Sequence, residues 1–533
     1  MSITSLIFLL FLFGVMIVYY IVPKKIQWVI LLAASIGFYL ACGTWGIFFV
    51  LLTATSIYLA AGKISRIAEK QKAYFKENKA VLTREEKQKI KAENQKKKRT
   101  ILTLTLLLNF GILCAFKYVD LYFDFMLSGA NLIFGLVGLP KVNGYFSIIA
   151  PLGISFYTFQ STGYLVDVYW ENCKAQKNYF KTLLFVSFFP QVTQGPISDY
   201  EQLSAELFSE HTFDFQNYKF GFQRMLWGFA KKMVLADFIA PYVQNVFHNY
   251  PTYAGITTLI GAFLYSVQIY ADFSGYMDIM CGACEMFGIR LTENFQRPYF
   301  SKSIAEYWRR WHITLGEWFK KYIYYPIGMA HWSKKIGQTA KDHCGKFVGQ
   351  TIPPTIALIV VWLATGVWHG ATGAYVVWGL VNGAFIIFSI WMEPVYNNTK
   401  AKLHVRESST AWRVFQVLRT FILVTFIKVI PEVGTLSEGL GLIKHIFTNH
   451  IIPTSVAEVF AFADEFTLKT VFVILMGVLL FIHSLLERRG DVRVRFNKQP
   501  AIVRILALSL LLIVIAYVGI PASDKGGFMY AKF

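Results

Sequence analysis

Ser303-Ile304-Ala305-Glu306-Tyr307-Trp308-Arg309-Arg310-Trp311-His312-Ile313-Thr314-Leu315-Gly316-Glu317-Trp318 is a charged, tryptophan-clamped segment set in an otherwise lipid-like chain. Ionised groups cost free energy at membrane depth, so two arginines, a glutamate and a histidine gathered between apolar runs mark a functional site. The helical spacing of Trp308, Trp311, Trp318 and Tyr322 predicts an amphipathic helix at the headgroup level, with Glu306 paired to Arg309 or Arg310 one turn on. Tyr324-Tyr325-Pro326-Ile327-Gly328 then breaks that helix ahead of a basic loop. An interfacial helix whose charges merely snorkel to lipid is the competing reading, and His312 weighs against it.

A second histidine, His369, lies in Trp362-Leu363-Ala364-Thr365-Gly366-Val367-Trp368-His369-Gly370, within an apolar run. A neutral imidazole in such a place can take a proton from a hydroxyl as general base. Trp362, Trp368 and Trp378, with Gly366, Gly370 and Gly373, leave room for a ligand against aromatic walls. A lone buried histidine is more often a packing residue, so His369 needs His312 to carry the argument.

Composition sets the class around these segments. The 533 residues are 55% hydrophobic, 17% aromatic and 16% charged, with mean hydropathy +0.45. A water-soluble globular chain carries about 25% charged residues. The chain therefore reads as an all-α polytopic integral membrane protein. Its formal charge of +20 does not indicate nucleic-acid binding, because Lys and Arg concentrate in short tracts between apolar runs, where they set topology and meet anionic lipid. The six cysteines lack the spacing of a disulfide framework.

Apolar runs long enough to cross a bilayer, about 20 residues each, begin at Ile3, Ile26, Trp45, Ile101, Ile148, Phe220, Ile256, Ile352, Tyr375, Val414, Val471 and Ile502. With the ambiguous stretches Leu121 to Leu139 and Leu183 to Ile197, about eleven to thirteen crossings or re-entrant pieces are expected around a central channel. The organisation is N-terminal transmembrane helices over 1–62, a basic linker over 63–100, a catalytic core over 101–400 and C-terminal transmembrane helices over 401–533. The two halves do not mirror each other in hydropathy, which counts against the repeated halves of many transporters.

Lys63 to Arg99 holds fourteen Lys or Arg against five acidic residues, a net charge of +9, and its stretch Glu85 to Lys98 reads as an exposed helix. The positive-inside rule places it in the cytoplasm with Lys24-Lys25, the loops His331 to Lys346 and Arg488 to Lys498, leaving the N-terminus and the tail Gly526 to Phe533 outside. Other suggestive residues have plainer explanations. Cys281-Gly282-Ala283-Cys284 has redox spacing but lies in a small-residue helical run suited to close packing. Asp272, Ser274 and Asp278 complete no metal-ligand spacing and read as polar groups lining the channel. His331 and His343 flank a lysine-rich loop, and Ser155 and Ser161 lack the context of a serine nucleophile.

Six strings occur in order: Pro151 to Gln160, Phe188-Phe189-Pro190 with Gly195-Pro196-Ile197, Asp272 to Asp278, Glu293-Asn294-Phe295-Gln296-Arg297-Pro298-Tyr299, Trp308 to Leu315, and Trp368-His369-Gly370. Together they resemble the bacterial membrane-bound O-acyltransferase family, nearest to its alginate O-acetyltransferase-like branch. The likeness runs from Asn109-Phe110-Gly111 to Gly527-Phe528-Met529-Tyr530. It implies a cytosolic thioester donor, most simply acetyl-CoA, with no bound cofactor or metal, and an acceptor arriving from outside. His369 matches the family's principal catalytic histidine and His312 the histidine of the Trp-Arg-Arg-Trp-His segment.

On this resemblance His369 activates the acceptor, while His312 with Arg309 or Arg310 orients the thioester or stabilises charge on its carbonyl oxygen. Trp308, Trp311, Lys320, Lys321, Asp272, Ser274 and Asn294 support the site or bind donor. Met277, Asn382 and Met329 depart from the alginate-type pattern of serine, histidine and glycine. The expected setting is a bacterial inner or plasma membrane, with membrane lipid and an extracytoplasmic acetyltransferase or polysaccharide as partners. D-alanyl transfer from a carrier protein to teichoic acid is the second enzymatic reading, and polysaccharide or lipid transport the non-enzymatic one.

The charge distribution makes a topological prediction. Single cysteines introduced in Lys63 to Arg99, His331 to Lys346 or Arg488 to Lys498 should resist a membrane-impermeant thiol reagent in intact cells and react after lysis. Efficient labelling from outside at any one of them overturns that loop's assignment.

Overall fold

The computed structural model describes residues 2–43, 45–136, 150–370, 372–453, 458 and 468–519. The C-terminal string Gly527 to Tyr530 and the tail Gly526 to Phe533 lie outside them, as do residues 137–139 and 148–149 of two expected apolar runs. The described residues are helical and contain no strand, as low charge and long apolar runs require of a chain whose backbone must satisfy its own hydrogen bonds in lipid. Among them, nine helices are long and apolar enough to cross a membrane, and Leu6–Ile21 and Phe125–Phe134 are shorter apolar ones. The protein is a multi-pass membrane protein.

The chain forms two compact units, Met1–Asp214 with Phe287–Leu291, and Phe215–Met286 with Thr292–Phe533. In the first, the basic linker is a helical extension of its flanking spans rather than a loose connection. Ile47–Glu77 runs through the charge shift at residue 63, and Arg84–Leu136 is one helix of 53 residues that joins the predicted Glu85 to Lys98 helix to the next apolar run and to residues 121–136. Glu171 ties the two helices together, 2.7 Å from Lys72 and 3.0 Å from the buried Lys98. Gly153 opens Ile154–Tyr169 in a left-handed conformation (φ 68°), where a Cβ would lie 1.6 Å from the Val192 carbonyl oxygen, which accounts for the glycine in Pro151-Leu152-Gly153.

The second unit is built on Gly255–Met286. Its most apolar window is 61% buried, against 11% for the peripheral Ala501–Gly519, so it forms the core while the other spans face lipid. It packs against Phe215–Phe229 backbone to backbone. A Cβ on Gly221 would lie 2.4 Å from the Gly282 carbonyl oxygen, and one on Gly228 2.6 Å from that of Gly275. Cys281 and Cys284 are free thiols beside this contact, in keeping with the packing role expected of their small-residue run.

The run from Phe220 to Ala240 is a helix, a π-type segment Ala230–Ala236 and a second helix Asp237–His248. The π segment carries two consecutive buried lysines, which meet different carboxylates. Lys231 lies 2.6 Å from Asp278 and donates to Ser274 at 2.9 Å, whereas Lys232 lies 2.6 Å from Asp272 and 2.7 Å from Asp237. Arg224 completes the network against Asp278 (2.9 Å) and Glu293 (2.5 Å). Removing one partner of a buried pair strands the other charge, at about 3–5 kcal/mol. Lys232→Met, which leaves Asp272 without its ammonium, should therefore lower the melting temperature of the purified protein markedly. An unchanged melting temperature means that this network does not hold the helices together.

Candidate active site

The segment around His312 is not the continuous helix that its aromatic spacing suggests. Ile304–Trp308 ends after five residues, the chain turns through Arg309–His312, and helix resumes only at Ile313–Phe319. Strand-like contacts with the preceding segment cause the break. Phe295 and Trp311 form an antiparallel bridge, Gln296 N–H donates to the Arg310 carbonyl at 3.0 Å, and Ile313 N–H donates to that of Asn294 at 3.0 Å. The expected break at Tyr324 to Gly328 is absent. A π-type turn Lys320–Tyr324 leads directly into Tyr325–Met329, and the helix ends only at Ala330 (φ −59°, ψ 143°), ahead of the helix His331–Cys344.

The bridge forces His312 into the left-handed region (φ 49°, ψ 52°), at a cost of about 1–2 kcal/mol for a residue with a Cβ. Asn294 holds it there. Its Oδ1 accepts from the Thr314 backbone N–H and hydroxyl, both at 3.0 Å, and lies 3.3 Å from His312 Nδ1. An amide oxygen only accepts, so Nδ1 carries the proton and Nε2 the lone pair. Phe273 meets the imidazole edge-on at 4.9 Å between ring centroids. Trp368 lies 6.2 Å from the His312 ring and 4.6 Å from that of His369, so one indole separates the two histidines.

His369 is the last residue of the Lys346–His369 helix and is buried. That helix crosses Gly373–Trp391 at glycines. A Cβ on Gly379 would lie 2.5 Å from the Trp362 carbonyl oxygen and 2.9 Å from Gly366 Cα, and one on Gly370 2.2 Å from the Tyr375 ring. The close crossing sets Trp378 edge-on to His369 at 4.8 Å and Tyr375 nearly parallel to it at 6.3 Å. The resulting cleft is walled by Trp308, Trp311, Trp378, Tyr375 and Tyr265, with His369 and Lys428 as its basic groups. Trp308 is fixed by its indole N–H, which donates to Asn382 Oδ1 at 3.0 Å.

The structure thus gathers His369, Trp308 and Trp311 in one cleft, with His312 and its anchor Asn294 one ring beyond. Asp272 and Ser274 are engaged instead with Lys232 and Lys231. Glu306 pairs with Arg310 at 2.6 Å, while Arg309 is exposed. Lys320 pairs with Glu317 at 3.2 Å, and the Lys321 ammonium lies 5.1 Å from the Tyr322 ring. Arg297, also left-handed (φ 48°), stands between the arginines Arg310 and Arg488 and the carboxylates Glu487 and Glu306. Burial, with the charges of Arg310 and Arg488, pushes its guanidinium pKa down against the opposing pull of Glu487 and Glu306. Lys428 escaped the sequence reading although it is a charge inside an apolar run, the signal that singled out His312.

Residues 174–340 match the family described as MBOAT, membrane-bound O-acyltransferase family. It is 34% identical over 286 residues to the probable alginate O-acetylase AlgI of Azotobacter vinelandii, covering 54% of this chain and 52% of the relative. It is 29% identical over 379 residues to the peptidoglycan O-acetyltransferase of Helicobacter pylori, covering 65% and 64%. A more distant relative, the teichoic acid D-alanyltransferase of Bacillus subtilis, is 26% identical over 249 residues, covering 45% and 59%. The chain spans about half the length of the AlgI relatives it matches.

Asn294 generates the prediction for this site. Asn294→Ala leaves the buried Thr314 N–H and the His312 imidazole without their acceptor, a loss of about 1–3 kcal/mol. Thermal unfolding of the purified variant should show that loss, and Asn294→Asp, which keeps an acceptor oxygen, should be milder. Equal stability of the alanine variant and the parent removes Asn294 as the anchor of this turn.

Proposed function

We propose that the protein is an acyltransferase that moves an acyl group, acetyl from acetyl-CoA, from a cytosolic thioester to a hydroxyl acceptor of the extracytoplasmic polysaccharide or cell-wall pathway. A separate extracytoplasmic transferase relays the group to sugar. The observation that carries this reading is His369 in a tryptophan-walled cleft, one indole from the asparagine-anchored His312.

In this mechanism the acceptor oxygen attacks the thioester carbonyl while His369 removes its proton. The aromatic walls exclude water and so suppress hydrolysis of the thioester. His312, fixed in one tautomer by Asn294, orients the reacting groups from behind Trp368. The guanidinium groups of Arg297, Arg310 and Arg488 supply the positive field that draws phosphate groups of a CoA donor, helped by Arg309, Lys320 and Lys321. The N-terminus lies outside the cell in this reading, which puts the basic loops on the donor's side.

D-alanyl transfer is the second reading, favoured by the likeness to relatives named teichoic acid D-alanyltransferase. Purified protein should release CoA from acetyl-CoA in the presence of a hydroxyl acceptor and leave a D-alanyl-loaded carrier protein untouched, and the reverse pattern selects D-alanylation. His369→Ala and His369→Gln should each lower turnover by about 10² to 10⁴ while the protein remains folded. Near-normal turnover in either variant removes His369 from the mechanism.

A further inference from the structure

Lys428 is the charge that the reading above leaves unused. It lies one residue before the end of Thr410–Val429 and is 6% exposed. The other lysines buried in this unit, Lys231 and Lys232, each have a carboxylate at 2.6 Å. Among the described residues, Lys428 has none within ion-pair distance. Its Nζ sits 3.9 Å from the Trp311 ring centroid, 4.8 Å from that of Tyr299 and 5.3 Å from that of Tyr307, and donates to Tyr299 Oη at 2.8 Å. The Tyr299 hydroxyl gives its own proton to the Ser266 carbonyl, so toward Lys428 it acts only as acceptor.

Three ring faces and the Tyr299 oxygen fix Nζ in place without a carboxylate partner. An ammonium has three N–H donors and one is committed to Tyr299. The same side chain lines the cleft that contains His369, Trp308 and Trp311. A fixed, unneutralised donor inside a water-poor cleft is suited to a negative charge that exists only during the reaction.

We propose that Lys428 is a catalytic residue that donates to the thioester carbonyl oxygen as it becomes an oxyanion, a role that rests on the acyltransferase reading. The acceptor oxygen forms a bond to the carbonyl carbon, its proton passes to His369, and the carbonyl π pair moves onto the oxygen facing Lys428. Collapse restores the carbonyl and breaks the C–S bond, and the departing sulfur takes the proton from His369. One negative charge appears at one atom and disappears again, with every proton accounted for. Arg310, committed to Glu306, and the exposed Arg309 then serve the donor's entry rather than its carbonyl.

The test uses the full chain in nanodiscs with acetyl-CoA and a hydroxyl acceptor. Lys428→Met keeps the length and apolar contacts of the side chain without the charge and should lower kcat by about 10² to 10³, the usual loss for an oxyanion donor. Donor KM should stay near its parent value, since the interaction forms only in the transition state. Lys428→Arg should recover part of the loss. Where Lys428→Met fails to fold, Tyr299→Phe keeps the ring and removes the acceptor that fixes Nζ, and should lower kcat severalfold at unchanged KM. Parent-like kcat in the folded Lys428→Met, or in Tyr299→Phe where that variant stands in, overturns the role of Lys428 alone. A parent protein that transfers no acyl group from either thioester overturns the acyltransferase reading and this role together.

Discussion

The approach of two helix backbones at Gly366, Gly379 and Gly383 is the constraint on which the cleft depends. A side chain at any of these positions would collide with backbone or with the Trp362 side chain. Their absence lets Gly373–Trp391 lie close enough to Lys346–His369 for Trp378 to reach the imidazole edge. In lipid there is no solvent to expel between helices, so such close packing and interhelical hydrogen bonds replace the hydrophobic effect as the source of association. Asn382, on the same glycine-bearing helix, then fixes Trp308, and Trp308 packs at 5.0 Å against Trp362 and 5.5 Å against Trp378. The position of one wall of the cleft is therefore inherited from a crossing made without side chains.

Charge is handled in two ways within the second unit. Arg224, Lys231 and Lys232 face carboxylates, and the two adjacent lysines of the π segment serve Asp278 and Asp272 separately. These three cations are held by their carboxylates and do not line the cleft that contains His369. Lys428 instead meets ring faces and the Tyr299 oxygen, with no carboxylate within ion-pair distance among the described residues, which leaves its remaining N–H donors open to the cleft. The first arrangement ties helices together, and the second places a lysine in the wall of the cleft.

The helical membrane class was legible because lipid imposes length and apolarity on every span, and no packing detail is needed to see them. His312 and His369 were legible for the converse reason, as polar groups where polarity is costly. The path of the chain between Trp308 and Ile313 was not. Helical spacing of tryptophans says nothing of a long-range bridge from Phe295, and that bridge overrides local preference in a segment too short to nucleate a stable helix. The partners of Asp272 and Ser274 were hidden similarly, since Lys231 and Lys232 are about forty residues away in sequence. Lys428 was within reach of the rule that found the histidines, but in Val414 to Ile430 the nearest other charge is Arg419, more than two helical turns away, so it lacks the adjacent charges that drew notice to Arg309 and Arg310.

The departures at Met277 and Asn382 acquire physical meaning from their contacts. Asn294 Nδ2 lies 3.5 Å from Met277 Sδ, a weak acceptor, so the amide keeps its orientation chiefly through what its oxygen receives from Thr314. Asn382 offers its oxygen to the Trp308 indole and its amide N–H to the Trp378 carbonyl at 2.9 Å. Both residues therefore contact neighbours of the histidines rather than the imidazoles themselves. A substitution at such a position acts on the aromatic walls and on the Asn294 anchor before it reaches either imidazole.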